Sequence, residues 1–416
     1  MALFFFIYVA DCISVMNENN TPLNTPPLGL RLLLILCALA VVSQLYLPLP
    51  ILSQLAHDLH VPPAVAAGVM GAFGLAYAAG FMVFGPLSDR VGRRRVMVWG
   101  LAALTLISVA IAWTNSAPML IAGRALQGFA AAAFPPVVIA YLAERGAPHQ
   151  RTWGVAWIST AFLSAALVGQ IYGGSVAGRW GLAVAMLPLA LVYACTALAL
   201  SMAPADARTA SGSSTWLAGY RPLGHLLADA RLRRVYGPAL LLLMCFVTFY
   251  LAVDAKAGGA LQAQGITPLM VRAMALPAFL APLVVAVVIS HVGAQRMVTV
   301  GLCTATAGLA LCAWAGAEHL HGLLAASVLF VAGVGISVPS LIARVAGLAD
   351  ASARGLAVAL YTFVLFVGAS LGPWLAQSTA QWPLPYTLSL LAGLLGIGAL
   401  YVFTERNAAA SAMNPA

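Results

Sequence analysis

Charge is what this sequence most conspicuously lacks. Of its 416 residues only 7% are Asp, Glu, Lys or Arg, against 62% hydrophobic, and the mean hydropathy is +0.96. About a quarter of a soluble protein's residues are charged, because its surface must be wetted, so this composition excludes an ordinary water-soluble globule and points to lipid as solvent. Lysine is nearly missing as well: Lys256 stands alone among 20 basic residues, the rest arginine. The six cysteines (Cys12, Cys37, Cys195, Cys245, Cys303 and Cys312) lie in apolar stretches without CxxC spacing, which argues against a disulfide framework or a metal site and for small hydrophobes. No Gly-rich phosphate loop ending in Lys-Ser/Thr is present, and no paired acids or His/Cys clusters converge within the apolar runs. An integral enzyme or a cofactor-dependent protein is therefore disfavoured, and no cofactor is expected. No soluble domain is appended, against a membrane sensor.

What is present is a series of apolar runs of roughly 18–25 residues, the length that carries an α-helix across about 30 Å of hydrocarbon. They lack the dyad alternation of a β-barrel strand. The spans fall near 31–55, 65–87, 96–114, 118–142, 154–177 and 181–203, then 236–255, 268–291, 297–317, 321–344, 355–378 and 384–403. This predicts an all-α polytopic membrane protein with 12 transmembrane helices. The domain boundaries expected are a segment 1–30, a six-helix bundle 31–203, a linker 204–235, a second six-helix bundle 236–403 and a tail 404–416. The first sixteen residues are too short to span and have no basic n-region, so they do not read as a signal peptide; translation from Met16 is the expectation.

Arginine sets the orientation. Arg93, Arg94 and Arg95 after the second span, Arg231, Arg233 and Arg234 before the seventh, and Arg344 and Arg354 between the tenth and eleventh all fall on one side, whereas the other side holds only Arg179, Lys256 and Arg272. The positive-inside bias then places both termini in the cytoplasm, and the distribution argues for a membrane, not nucleic acid, as the partner of this basic chain. The halves echo each other: LVGQIYGG at 167–174 resembles SLGPWLAQ at 370–377, and VFGPLSDRVGRRR after the second span resembles VAVVISHVGAQRM after the eighth. Two pseudo-symmetric bundles with a substrate site between them is a recurring carrier architecture.

The sharpest motif is Gly85-Pro86-Leu87-Ser88-Asp89-Arg90-Val91-Gly92-Arg93-Arg94. Gly85 and Gly92 permit a tight turn, and Asp89 can sit at the positive N-terminus of a neighbouring helix. The stretch closely resembles the G-x-L-x-D-R-x-G-R-R signature between helices two and three of the major facilitator superfamily. That resemblance implies a gate in which Asp89 and Arg90 close the cytoplasmic side against the start of the eleventh span, near Gly355. For Arg93 to Arg95 the competing reading is a plain topology anchor.

Arg124-Ala125-Leu126-Gln127-Gly128 puts an arginine inside the fourth span, which is costly unless it meets water or a partner. It resembles the R-x-x-Q-G element of drug:proton antiporters, where the arginine is associated with proton transfer; snorkelling toward the headgroups is the alternative. Gly169-Gln170-Ile171-Tyr172-Gly173-Gly174 resembles the exporter motif G-P-x-x-G-G, with Gln170 in the proline's place, while Gly372-Pro373 supplies a similar break in the eleventh span; simple small-residue packing competes with that reading. The stretch Gln44-Leu45-Tyr46-Leu47-Pro48 is similar to the Tyr-Leu-Pro segment of bicyclomycin/chloramphenicol exporters, with a glutamine where many relatives carry an acid. Asp254 is a candidate proton-coupling residue beside Arg124, although Lys256, two residues on, would make it a plain ion pair.

The resemblances together imply a twelve-helix drug:proton antiporter of the major facilitator fold in a bacterial inner membrane, multi-pass and monomeric. It would export a small amphiphilic molecule by alternating access with protons as coupling ion. Polar residues within spans make Gln44, Tyr46, Arg124, Gln170, Tyr250 and Tyr361 the candidate cavity groups. Export of an endogenous product such as a siderophore or sugar, or uptake on the same fold, is the competing expectation.

Overall fold

The computed structural model describes residues 26–114, 116–145, 148–204, 220, 222–350 and 353–412. The proposed start at Met16, half of the linker and the last four residues lie outside this set. The described chain is helical throughout. Twelve of its helices are α1 (Leu28–Tyr46), α2 (Pro63–Val91), α3 (Arg93–Ala112), α4 (Ala117–Ala131), α5 (Pro148–Tyr172), α6 (Gly178–Met202), α7 (Ala230–Lys256), α8 (Pro268–Met274), α9 (Ala294–Ala315), α10 (Leu320–Leu348), α11 (Arg354–Ser378) and α12 (Leu384–Ala412), with shorter helices between them.

Proline and glycine punctuate this order. Pro48 and Pro50 lack the amide a helix needs, so α1 gives way to a 3-10 turn at Leu49–Ile51 before a short extension, Leu52–Asp58. Pro135 and Pro136 likewise divide α4 from its continuation Pro135–Ala143. Asp229 starts α7 six residues earlier than its hydropathy suggests, because its carboxylate accepts from the Arg231 amide at 2.8 Å. At the other end of the chain α12 runs on as far as Ala412, into the segment 404–416 expected as a tail.

Ten described helical stretches are long and apolar enough to cross a membrane. The two departures from twelve have local causes. One 39-residue stretch, Ser164–Met202, holds two runs divided at Gly181, whose backbone (φ 84, ψ 162) is not helical. The span expected at 268–291 is cut by Pro277 and Pro282 into α8, a 3-10 segment Leu276–Leu280 and a helix Ala281–Val292, none long enough alone.

The helices pair in a repeated pattern. α1 packs on α5 as α7 packs on α11, α3 on α6 as α9 on α12, and α2 on α4 as the α8 region packs on α10. The tightest contacts match too. A Cβ on Gly173 would overlap the Leu47 carbonyl oxygen, and one on Gly368 would overlap the Leu240 carbonyl oxygen. Gly92 (φ 106, ψ 138) and Gly293 (φ 88, ψ 145) make the same sharp turn into α3 and α9. A side chain with a Cβ rarely adopts that conformation, which explains why the turn glycine persists where the rest of the second copy has diverged.

The two ends of the bundle differ chemically. Arg93, Arg231, Arg296 and Arg354 mark one end, at the starts of α3, α7, α9 and α11. At the opposite end stand the exposed indoles of Trp113, Trp180, Trp314 and Trp382. Between them the outer surface is apolar, with Leu106, Leu191, Leu198 and Ile397 all exposed, as a lipid-facing surface requires. The first half meets the second along α2 and α11, through Leu49–Ile51 against α7, and where α5 meets the segment from Pro268 to Leu280.

Candidate functional site

Among the described residues two arginines are wholly buried in this apolar bundle, Arg124 on α4 and Arg272 on α8. On insertion scales an arginine at mid-membrane costs about 2.5–3.5 kcal/mol, so each must be compensated by its surroundings. They are compensated in different ways.

Arg124 is held by neutral acceptors. Its Nη1 donates to Gln44 Oε1 at 3.0 Å and to Gln127 Oε1 at 2.5 Å, its Nη2 donates to the Gln44 carbonyl at 2.7 Å, and its Nε makes a long contact with the Val69 carbonyl at 3.5 Å. The guanidinium also lies 4.2 Å above the Phe73 ring. The acceptors are themselves fixed. Gln44 Nε2 donates to Tyr193 Oη at 3.0 Å, Tyr193 Oη to the Ala40 carbonyl at 3.1 Å, and Gln127 Nε2 to Ser108 Oγ at 2.7 Å. A hydrogen bond to a charged group contributes about 1.5–3 kcal/mol, so this set is of the size needed to hold the cation. Gln127, the fourth residue of the Arg-x-x-Gln-Gly element, is thus one turn along the helix from Arg124 and orients it. Gly128 completes the element by letting α4 meet the backbone of α2 at Phe73, where a Cβ would strike the carbonyl oxygen. Arg124 points inward and does not snorkel.

Arg272 is held by a carboxylate. Its Nη1 donates to Asp254 Oδ1 at 3.3 Å, its Nη2 donates to Asp254 Oδ2, and Nη1 also reaches the Pro268 carbonyl at 2.8 Å. Nε donates to Gln170 Oε1 at 2.8 Å, and Gln170 Nε2 donates one turn back to the Ala166 carbonyl, also at 2.8 Å. The Tyr250 ring centroid is 5.4 Å away. The expected pairing of Asp254 with Lys256 is therefore replaced. Two helical residues apart, the side chains diverge by about 200° around the axis, and the Lys256 ammonium is taken up by the Thr379 carbonyl at 2.7 Å and Thr387 Oγ1 at 2.6 Å. Arg272, expected in a polar connection, was missed as a site residue; Thr267 and Pro268, which start a helix just before it, were the available signal.

The remaining cavity candidates lie among aromatic rings. Gln44, Tyr46, Gln170, Tyr250 and Tyr361 are all buried. Tyr46 meets Phe246 across the halves edge-on at 6.2 Å, and Phe246 in turn meets Tyr250 at 5.2 Å. Tyr361 instead donates to the Val338 carbonyl at 3.2 Å, tying α11 to α10. On the other flank Tyr77 of α2 packs edge-on against Phe366 of α11 at 4.7 Å, and its buried hydroxyl finds no hydrogen-bond partner among the described residues. Gln170, in the proline's place in its motif, leaves α5 helical as far as Tyr172; a π-helical segment, Gly173–Ala177, follows. Gly169 presses on Ser43 and Gly174 sits in ordinary contact with Pro50, so these glycines do pack α5 onto the first helix. Pro373 lies buried within α11.

At the arginine-rich end Arg93 donates to Glu144 Oε1 at 3.1 Å and to Ser88 Oγ at 2.6 Å, while Ser88 Oγ donates to the Gly85 carbonyl at 2.8 Å. Arg94 donates to the Ala203 carbonyl and, at 3.2 Å, to that of Ser201. These bonds tie the turn after α2 to Glu144, which follows the helix Pro135–Ala143, and to the end of α6. The Asp89 side chain lies outside the described residues, and Arg90 is exposed. The linker also reaches this end: Tyr220 Oη donates to the Met82 carbonyl of α2 at 2.6 Å. No group of His, Cys, Asp and Glu among the described residues could hold a metal ion.

Comparison with known proteins places these features in context. A family model described as Major Facilitator Superfamily matches residues 34–261. Multidrug resistance protein D of Escherichia coli is 37% identical over 102 residues, 24% of this chain and 26% of that protein. The cephamycin export protein CmcT of Amycolatopsis lactamdurans is 37% identical over 121 residues, 29% of this chain and 24% of that protein. The chain spans between about a fifth and just under half the length of the curated relatives it matches. In fold it is similar to a mutant of the nucleoside transporter NupG, with a TM-score of 0.69 at 14% identity over 90% of this chain and 99% of that one.

Proposed function

Because the chain belongs to the major facilitator superfamily, we propose that it exports a small amphiphilic, drug-like molecule across the bacterial inner membrane in exchange for protons. In this reading twelve helices form two six-helix halves, 31–203 and 236–403, which rock about a site between them. The arginine-rich end faces the cytoplasm with both termini, in accord with the positive-inside bias. The tryptophan end then faces outward, and the contacts of Gln170 with Arg272 and of Leu49–Ile51 with α7 correspond to a carrier closed on its outer side. Asp89 and Arg90 act at the inner gate, and a monomer suffices.

The observation that carries the reading is charge buried in a chain that has so little. Arg124 sits without a carboxylate partner among its described contacts, and Asp254 sits opposite Arg272. Intramembrane ionisable groups are expensive and mark ion or substrate pathways, and a titratable carboxylate beside a fixed cation is what proton coupling requires. The likeness to a multidrug resistance protein and to a cephamycin export protein favours outward movement of an amphiphile. Tyr46, Phe246 and Tyr250 would offer it an aromatic wall.

Proteoliposomes with an imposed pH gradient test this. Labelled amphiphilic drugs should move against the proton flux, and a strain deleted for the protein should become more susceptible to the same compounds. Movement of substrate together with protons would establish uptake instead, and transport confined to siderophores or sugars would establish export of an endogenous product. Asp89→Asn should abolish net export; export at the wild-type rate would remove Asp89 from the gate.

A further inference from the structure

The chain departs from the exporter motif at one place, Gln170, and that residue makes a polar contact between the halves. A proline there would have no side-chain acceptor to offer. Gln170 is anchored by its own amide to the Ala166 carbonyl, which aims Oε1 across the interface at Arg272 Nε, 2.8 Å away. Arg272 is fully buried and its other two nitrogens face Asp254, the one member of the group with access to water, its side chain 24% exposed. We infer that Gln170, Arg272 and Asp254 form a proton-operated latch that keeps the tryptophan end shut while Asp254 is ionised. Gln170 is the positioning residue and Asp254 the proton acceptor. This rests on the alternating-access reading above.

The physical argument is one of compensation. With Asp254 ionised, the buried guanidinium is neutralised and the donor to Gln170 is held in place. With Asp254 protonated, Arg272 becomes an uncompensated buried cation, and the cost of leaving it dry favours separation of the halves and entry of water. Few other groups could take the carboxylate's place. Tyr250 on the same helix is a neutral phenol, and Lys256 is engaged by Thr379 and Thr387. Tyr172 on α5 donates to the Ala185 carbonyl, and neither α10 over 324–337 nor α11 over 361–378 carries a charged residue. An empty carrier with Asp254 ionised is thereby held closed at the tryptophan end.

Spin labels at two exposed positions of the tryptophan end, one in each half, read the latch directly. His57→Cys and Gln264→Cys serve this purpose in a background with the native cysteines replaced. In the full chain in nanodiscs, the short inter-label distance should dominate at about pH 8 and a longer one should grow toward about pH 4, close to where an aspartate ordinarily takes up a proton. Asp254→Asn should show the long distance at both pH values. Gln170→Ala should raise the open-to-closed ratio at the higher pH by roughly tenfold or more, as loss of a hydrogen bond to a charged group would. Gln170→Glu placed in the Asp254→Asn background returns a carboxylate to Arg272 and should restore the pH response. A wild-type response in Asp254→Asn, or an unchanged distribution in Gln170→Ala, overturns the latch. Transport is scored separately in proteoliposomes. Distances that switch without substrate movement would sink proton-coupled export and leave the latch standing; transport with distances blind to Asp254→Asn would do the reverse.

Discussion

Arg124 donates to both the side chain and the main chain of Gln44, so one guanidinium fixes the first helix at two points, 3.0 and 2.7 Å away. Lysine carries the same charge on a single nitrogen and cannot span both acceptors together with Gln127. Arg124→Lys should therefore cost about 1.5–3 kcal/mol, the value of one charged hydrogen bond. The check is thermal unfolding in detergent, alongside proton-driven transport, which should fall with it. An unchanged midpoint would mean that the network is not made in the folded protein.

The glycines of the motif in α5 should separate into two classes. Gly173→Ala drives a methyl group into the Leu47 carbonyl and should cost about 1–3 kcal/mol, whereas Gly174→Ala meets only Pro50 at 3.7 Å and should be close to neutral. Unfolding midpoints of the two variants, measured side by side, decide it. Equal effects would mean that the pair acts through helix propensity and not through close approach.

Gly92 and Gly293 make a second matched comparison. Alanine at either must adopt a positive φ, at a cost of about 1–3 kcal/mol. Both substitutions should lower the midpoint by similar amounts. Gly92→Ala should in addition impair export, since it moves Ser88 and Arg93 away from the Gly85 carbonyl and Glu144. Loss of export from Gly293→Ala alone would reverse the assignment of the inner gate to the first half.

Much of this arrangement was legible in the order of residues, because lipid leaves only helices as a solution and proline and glycine mark their breaks. Arg124 with Gln127 could be read directly, one helical turn apart on one span. Asp254 could be read only as ionisable. Its partner lies eighteen positions on, beyond a turn and a further short helix, while the neighbour that looks like a partner, Lys256, points elsewhere. Gln170 was visible as a departure from a pattern, but its role depends on which helix of the other half faces it, and local sequence does not carry that. The twelve-span expectation blurred where Gly181 and the prolines of 268–292 interrupt the helices, since hydropathy averages over such breaks.

Tyr77 supplies a prediction of opposite sign. Its hydroxyl is buried against Phe366 without a described partner, and an unmade hydrogen bond costs about 1–3 kcal/mol. Tyr77→Phe should raise the unfolding midpoint of the protein in this conformation. If it lowers export while doing so, the hydroxyl is engaged when the halves part; a lowered midpoint would show that it has a partner in the resting protein.

Four indoles ring one rim of the bundle and guanidinium groups crowd the other, and the two rims grip the bilayer differently. Amphipathic rings settle at a fixed depth beside the headgroups, whereas long flexible arginines tolerate several ångströms of vertical play. The tryptophan rim is thus the moored edge and the arginine rim the one that can ride up or down, so thickening or thinning the lipid should be felt mainly at the arginine rim. Acyl-chain length becomes a means of biasing that rim without touching a single residue.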